Sequence, residues 1–122
     1  MKRQMDLVRA ILLELEKHEH AWAPRKLAIE GYTDEEVGYH VHLMGQAGLL
    51  DVADATTRAS ASPHAVPRAI TWAGHEFLDA ARDPSLWEKA KQKVGASLVS
   101  VAFDVLKGVL TTLAKAQLGL GP

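Results

Sequence analysis

Histidine is the residue type in this chain best suited to chemistry, because a neutral imidazole is the usual base and metal ligand near pH 7. The six histidines include the close pairs His18 with His20 and His40 with His42. Residues two apart on a helix point to different sides, so His40 and His42 are not expected to share one ion. We therefore expect no metal site, with His40 and His75 hydrogen-bonded in the interior and the other histidines in solvent.

The chain offers no other constellation typical of an enzyme. A hydrolase needs a nucleophile, a base and an orienting acid that converge in space. The sequence contains no Gly-x-Ser-x-Gly motif, no glycine loop of the kind that cradles phosphate, and no cysteine. The absence of cysteine excludes disulfides, thiolate zinc sites and cysteine nucleophiles. We expect a protein without catalytic residues and without a cofactor.

The composition is that of one globular domain. The chain has 122 residues, of which 48% are hydrophobic and 24% are charged, and its formal net charge is -1. A balanced charge gives no overall attraction to nucleic acid or anionic lipid, so any such binding must come from a local patch. The basic first residues lead into an amphipathic helix and not into an apolar run with a cleavage site, which predicts a cytoplasmic protein without a signal peptide.

Hydrophobic periodicity and turn residues predict the order of the elements. Pro24 interrupts the chain after the first helix and biases Ala23 toward extended geometry. The predicted order is a helix over residues 5–18, a short edge strand over 26–30, a helix capped by Thr33 and ended by Gly48, and wing strands over 49–53 and 65–71 around a polar loop at 56–64. A helix over 72–82 capped by Thr71, a helix over 86–94 with Asp83 as its cap, and a last helix over 96–118 follow.

The central helix has the best-defined start. Thr33 and Glu36 have the spacing of a capping box, and three acids in the first turn favour the positive end of the helix dipole. Its predicted inner side carries Val37, His40, Val41 and Met44, and another side carries Gly38, His42 and Gly45. The glycines would let a second backbone approach, or would merely tolerate packing within one molecule. A capped helix followed by Ala-Gly and a Leu-Leu-Asp-Val strand is typical of the passage from the third helix of a winged helix into its wing.

The last helix carries a three-four hydrophobic repeat that is typical of a coiled-coil seam. One small domain cannot easily cover so wide an apolar stripe, which favours homo-oligomerisation. Gly108, two lysines and an aspartate argue against a membrane span. The residues predicted to form the oligomer contact are Val99, Ala102, Leu106, Val109, Leu113 and Ala116.

A winged helix would place a specific set of polar residues on DNA. His42 and Gln46 would meet base edges. The predicted phosphate contacts are Arg58 and Arg68 in the wing, and Lys2, Arg3, Arg25 and Lys26 elsewhere. Against this, the central helix begins with Asp34, Glu35 and Glu36, which repel a phosphate backbone. The alternative is an interaction module in which the acidic helix and its glycine side bind a protein.

Two further groups of residues have an ordinary interpretation. Trp22, Trp72 and Trp87 are not interleaved with a basic run, so they are predicted to pack in the core or as a lid and not to stack on single-stranded nucleic acid. The lysines at 89, 91 and 93 would suit a membrane surface, but a coiled-coil seam explains the adjoining apolar helix better.

Three segments carry a family resemblance: residues 1–13, the stretch Tyr-His-Val-His-Leu-Met-Gly-Gln-Ala-Gly-Leu-Leu over 39–50, and Ile-Thr-Trp-Ala-Gly-His-Glu-Phe-Leu-Asp-Ala-Ala-Arg-Asp over 70–83, with Trp87 after it. The chain resembles the bacterial and prophage "domain of unknown function 2513" proteins over nearly its whole length. The resemblance implies a winged-helix-like domain with a trailing hydrophobic helix, frequent in phage-derived loci. The region between Lys17 and Thr33 departs from a regular winged helix, because a proline-containing loop stands in place of a second helix.

Together these patterns predict a mainly α (α+β) protein, with a winged-helix-like domain over residues 1–83 and a helical oligomerisation segment over 84–122. The predicted function is that of a small, non-enzymatic, oligomeric DNA-binding or regulatory factor of phage or prophage origin. A protein adaptor that does not bind DNA is the alternative.

Overall fold

The computed structural model describes residues 1–18, 20–24, 26–95, 103–117 and 119. Over these residues the fold is mixed α+β, with helices and one two-stranded antiparallel sheet. The elements in chain order are α1 (Met5–Glu16), α2 (Asp34–Gln46), β1 (Leu50–Asp54), β2 (Ala65–Ile70), α3 (Trp72–Ala81), α4 (Pro84–Val94) and α5 (Phe103–Gln117).

One hydrophobic core includes residues from both predicted segments, 1–83 and 84–122. Its centre is the apolar side of α1, where Leu7, Ile11 and Leu12 are fully buried. Helical spacing puts these residues on one side, so α1 buries its stripe and leaves its charges in water. Trp87 of α4 and Leu106 of α5 belong to the same core cluster. Residues on either side of position 83 therefore share one core.

Helix α2 begins and ends as its sequence predicts. The Thr33 hydroxyl accepts from the Glu36 N–H at 3.1 Å, and the Glu36 carboxylate accepts from the Thr33 N–H at 2.9 Å. Gly48 has φ +78°, a left-handed conformation that glycine adopts without steric cost. The predicted capping box is confirmed, and Val37, His40, Val41 and Met44 are buried on the inner side.

The hairpin of β1 and β2 lies directly against α2. Leu50 pairs with Ile70 and Asp54 with Ala65, with one irregularity after Asp51. A Cβ atom on Gly38 would overlap the ring of His64, which follows the loop between the strands. The side chain of Val52 similarly occupies the space beside Gly45. Gly38 and Gly45 are therefore packed against the chain's own hairpin.

The predicted edge strand over residues 26–30 is wrong. No residue of this segment is in a strand, and the described sheet has two strands. Among the described residues of 20–33, one backbone hydrogen bond reaches β2, from the Ala23 N–H to the Arg68 carbonyl at 2.8 Å. The side chains of Leu27 and Ile29 pack against the core instead. One hydrogen bond without a ladder does not make a strand.

The helices after the hairpin have the predicted caps. The Thr71 hydroxyl accepts from the Gly74 N–H at the start of α3. The Asp83 carboxylate accepts from the N–H groups of Ser85 and Leu86 at the start of α4, which has a proline in its first turn. These caps fix two short helices whose buried residues, Phe77 and Trp87 among them, complete the core.

Helix α5 packs on α3 and α4 of its own chain. Leu106 and Leu110 are fully buried in the core. Leu106 belongs to the set predicted to form an oligomer contact. Of the rest of that set, Val109 and Leu113 are half-buried against this core, Ala116 is exposed, and Val99 and Ala102 lie outside the described residues. Within the described ranges, no helix combines the length and apolarity that a membrane crossing requires.

Candidate binding face of α2 and the hairpin

The outer side of α2 is the surface that a winged helix would present to a ligand. Glu35, Tyr39, His42 and Gln46 recur at spacings of three and four and so lie on one side. The rings of Tyr39 and His42 stack, with centroids 6.2 Å apart and planes 25° apart. The Glu35 carboxylate accepts from the Ser62 hydroxyl at 2.8 Å, which joins the hairpin loop to this side. We define the α2–hairpin face as Asp34, Glu35, Tyr39, His42, Gln46, Asp54 and Ser62.

The inner side of α2 is fixed by a buried histidine. His40 is 0% exposed, and its Nε2 atom accepts from the Gln4 N–H at 2.9 Å. Its Nδ1 atom lies 2.8 Å from the Glu36 carbonyl, so Nδ1 carries the proton of the neutral ring. Burial lowers the pKa of His40. The predicted interior position of His40 is confirmed, and the ring ties the start of α1 to α2.

The predicted interior position of His75 is wrong. His75 is exposed, whereas the buried residues of α3 are Gly74, Phe77, Leu78 and Ala81. A residue one position after Gly74 is turned by about 100° from it on a helix, which carries its side chain away from the core.

Two carboxylates of α2 and the hairpin, Glu36 beside the face and Asp54 within it, accept hydrogen bonds. Glu36 also accepts from the Gln4 side chain at 3.0 Å, and the Thr33 backbone hydrogen bond is the main cause that lowers the Glu36 pKa. The backbone N–H of Thr56 lowers the pKa of Asp54 on the hairpin, with a smaller effect from His42 nearby. Both carboxylates are therefore ionised at neutral pH, and Asp54 together with Asp34 and Glu35 makes the face acidic.

The predicted phosphate contacts of the wing do not offset these acids. Arg58 lies exposed in the loop between the strands. Arg68 forms an ion pair with Asp51 at 2.8 Å across the hairpin. A paired arginine brings no net charge to a phosphate, so Arg58 is the wing residue that contributes a net positive charge.

The remaining predicted nucleic-acid contacts are spread over the molecule. Arg3 and Gln46 line one cavity between the start of α1 and the end of α2. Lys26 lines a different cavity, beside Asp34 and His64. Lys2 is exposed before α1, and Arg25 lies outside the described residues. The structure thus brings Arg3 to Gln46 but assembles no continuous basic stripe from the described members of the set.

A second surface collects histidines that are distant in the sequence. His18, His20 and His75 line one cavity of about 290 Å³ together with Glu16, Ala21 and Ile70 among others. Glu16 is itself ion-paired with Arg82. In the part of the chain that is described, no three histidine or carboxylate side chains are grouped to hold one metal ion. Sequence spacing could not reveal this cavity, because α3 brings His75 to the end of α1 only in the folded chain.

The three tryptophans have different environments. Trp87 is buried, and its Nε1–H donates to Asp6 at 2.7 Å. Trp22 and Trp72 are 71% and 82% exposed, so the prediction that they pack as core or lid is wrong for both. Trp72 is the first residue of α3, on the side opposite the buried Leu78 and Ala81.

Comparisons with known proteins point to one family. A family described as "Hypothetical protein (DUF2513)" matches residues 2–100 of this chain. A protein of Haemophilus influenzae, described as uncharacterized, is 34% identical over 116 residues, which cover 93% of this chain and 95% of that protein. No solved structure matches the chain.

Proposed function

This chain belongs to the DUF2513 family, as its sequence predicted, and we propose that it is a non-enzymatic, winged-helix-like regulatory protein that binds a basic segment of a protein partner with its α2–hairpin face. The order of α1, α2 and a hairpin packed beside α2 supports the winged-helix-like interpretation. It departs from a regular winged helix in having no helix between residues 17 and 33 among those described.

The acidic character of the face supports a basic protein partner most strongly. Asp34 and Glu35 are exposed at the start of α2, and Asp54 is exposed on the neighbouring hairpin strand. In a helix-turn-helix protein the first residues of the recognition helix lie close to the DNA. Acidic side chains at these positions are repelled by the phosphates. The same acids attract Lys and Arg side chains of a protein.

DNA binding is the second candidate, and a separate observation favours it. Gln46 and His42 lie on the outer side of α2, and Arg3 shares a cavity with Gln46 at the end of this helix. Gln and Arg side chains read adenine and guanine edges, respectively. Self-association through residues 96–118 and a phage origin stay predictions.

A charge change on the face distinguishes the two candidates. In the full chain, Asp34→Asn with Glu35→Gln removes two negative charges and keeps the side-chain shapes. We expect this double variant to bind a labelled Lys/Arg-rich peptide about threefold to tenfold more weakly, since exposed ion pairs contribute up to about 1 kcal/mol each. Fluorescence anisotropy with the peptide and with random-sequence duplex DNA, at low and moderate salt, measures both interactions.

The matched control carries Glu76→Gln with Glu88→Gln, which removes the same charge from exposed positions of α3 and α4. It should leave peptide binding within about twofold of the parent chain. An equal loss in the control would mean that net charge alone is responsible. Tight duplex binding that falls steeply with salt and strengthens in the Asp34/Glu35 variant would replace the proposal with the DNA candidate.

A further inference from the structure

We propose that the basic partner segment binds as a third strand along the outer edge of β1, an inference that rests on the proposed function and adds the geometry of binding to it. An unpaired strand edge presents N–H and carbonyl groups with which an extended segment of another protein can form hydrogen bonds. The hairpin has two outer edges, one on β1 and one on β2. The two edges differ in whether their backbone groups are free.

The ends of the hairpin show which β1 residues bond to β2. At one end the Leu49 carbonyl accepts from the Thr71 N–H at 3.2 Å. At the other end the Ala55 N–H donates to the His64 carbonyl at 2.9 Å. Bonded and non-bonded residues alternate along an antiparallel strand, and both ends give the same alternation. The odd-numbered residues of β1 therefore have their backbone groups toward β2, and the even-numbered residues have theirs toward the outer edge.

The outer edge of β1 is free. Its N–H and carbonyl groups belong to Leu50, Val52 and Asp54 by this alternation. Within the residues that the structure describes, these backbone groups have no hydrogen-bond partner beyond the hairpin. Asp54 is exposed and Val52 is half-buried, so solvent reaches this end of the edge.

The outer edge of β2 is closed by its own sequence. Pro67 has no backbone N–H to donate, and it pairs with Val52, whose backbone faces outward. Arg68 is an extra residue in β2, and its carbonyl accepts from the Ala23 N–H at 2.8 Å. A proline and a bulge are features that block strand addition in natural sheets. β1 has no proline and no extra residue, so its edge is the one that can accept a strand.

The charge of β1 selects a basic partner. β1 contains the exposed Asp51 and Asp54 and no Lys or Arg, and Asp51 is ion-paired with Arg68. A second copy of β1 would bring two more aspartates to the edge, whereas a Lys or Arg opposite Asp54 would form a cross-strand ion pair. Asp54 points to the same side of the sheet as Val52, whose side chain lies beside Gly45. The added strand would therefore extend the α2–hairpin face.

Backbone methylation of a peptide separates strand addition from charge attraction. The probes for the full chain are the fluorescein-labelled peptide TKVKVKT and the same peptide with N-methyl groups on two adjacent central residues. These methyl groups remove one donor from each edge of the peptide and keep its charge. We expect the unmethylated peptide to bind about tenfold more tightly by fluorescence anisotropy, because two or three backbone hydrogen bonds depend on it.

Hydrogen exchange locates the peptide on the hairpin. In the free chain the N–H groups of Val52 and Asp54 should exchange fast, and those of Asp51 and Ala53 should exchange slowly. Saturation with the unmethylated peptide should slow exchange at Val52 and Asp54 by about tenfold or more, and the methylated peptide should not.

Substitutions on β1 give a second test. Val52→Pro removes an N–H that faces outward, and proline is tolerated at such edge positions. It should weaken binding of the unmethylated peptide about fivefold and leave that of the methylated peptide unchanged. Val52→Ala keeps the N–H and should change both affinities by less than about twofold. Asp54→Asn, which removes charge alone, should weaken both peptides equally.

The outcomes distinguish this inference from the proposed function. Equal binding of the two peptides, with Val52 and Asp54 still in fast exchange, would overturn strand addition and leave the acidic face as the binding site. Slowed exchange at other backbone groups in place of these two would overturn it as well. Failure of both peptides to bind would overturn both proposals. If Val52→Pro does not fold, the methylated peptide and the exchange rates of the parent chain still decide between these outcomes.

Discussion

Helices α2 and α5 carry similar hydrophobic patterns, yet their surroundings were not equally predictable. The stripe of α2 was expected to face the core of its own domain, and Val37, Val41 and Met44 do so. The stripe of α5 was expected to meet another copy of the chain, but Leu106 and Leu110 are buried within the same molecule. Periodicity shows that one side of a helix is covered. It does not show which molecule covers it.

The largest expected effect tests whether α5 belongs to its own core. Leu106→Ala should lower the free energy of unfolding by about 3 kcal/mol, because a fully buried leucine leaves a cavity when truncated. Urea denaturation at two protein concentrations measures this loss. The midpoint should not depend on concentration if the contacts of Leu106 are intramolecular.

Val105→Ala is the matched control on the same helix, because Val105 is 53% exposed. It should change stability by no more than about 0.5 kcal/mol. The opposite result is an unfolding midpoint that rises with protein concentration in the parent chain but not in the Leu106 variant. It would mean that α5 forms an oligomer contact and that its stripe differs from that of α2 only in the molecule that covers it.

A smaller effect tests how closely the hairpin packs on α2. Gly38→Ala should destabilise the protein by about 1 kcal/mol net, because the new Cβ overlaps the His64 ring and this outweighs the gain of roughly 1 kcal/mol in helix propensity. His64→Ala should relieve the overlap, so that the double variant is more stable than Gly38→Ala alone. Thermal and urea unfolding of the four proteins give the coupling free energy.

Gly108 of α5 offers the control, since an added Cβ there would meet nothing within 4 Å. Gly108→Ala should stabilise the chain by about 0.5–1 kcal/mol through helix propensity alone. Additive effects of the Gly38 and His64 changes would show that the hairpin does not rest on α2.

Local signals predicted most of the elements, because caps and turns act over a few residues. The capping box at Thr33, the left-handed Gly48 and the Asp83 cap are all present. The strand predicted over residues 26–30 failed for a different reason. A strand forms only if another strand pairs with it, and the local sequence from Leu27 to Ile29 does not show whether a distant segment will do so.

The candidate sites were less predictable than the elements. The acids at the start of α2 were identified from the sequence, because they lie together in it. The cavity at Arg3 and the histidine cavity at His75 each require residues from distant helices, which only tertiary packing brings together. The exposure of Trp22 and Trp72 was missed because large apolar residues are usually buried.

The smallest expected effect is a pH dependence that arises on the inner side of α2. Burial lowers the pKa of His40 below its ordinary value of 6.5, so the folded protein keeps the ring neutral where the unfolded chain binds a proton. The contribution of His40 is therefore complete above about pH 6.5 and is lost as the pH falls from there toward the folded-state pKa. His40→Gln should flatten the decline in unfolding free energy between about pH 7.5 and pH 5.5, whereas His42→Gln, on the outer side, should keep it.

Asp6, Glu16 and Glu36, whose ordinary pKa values of 3.8 to 4.5 are lowered further in the fold, titrate below this window. An unchanged slope in the His40 variant would mean that the buried ring is not what connects protonation to the stability of α2.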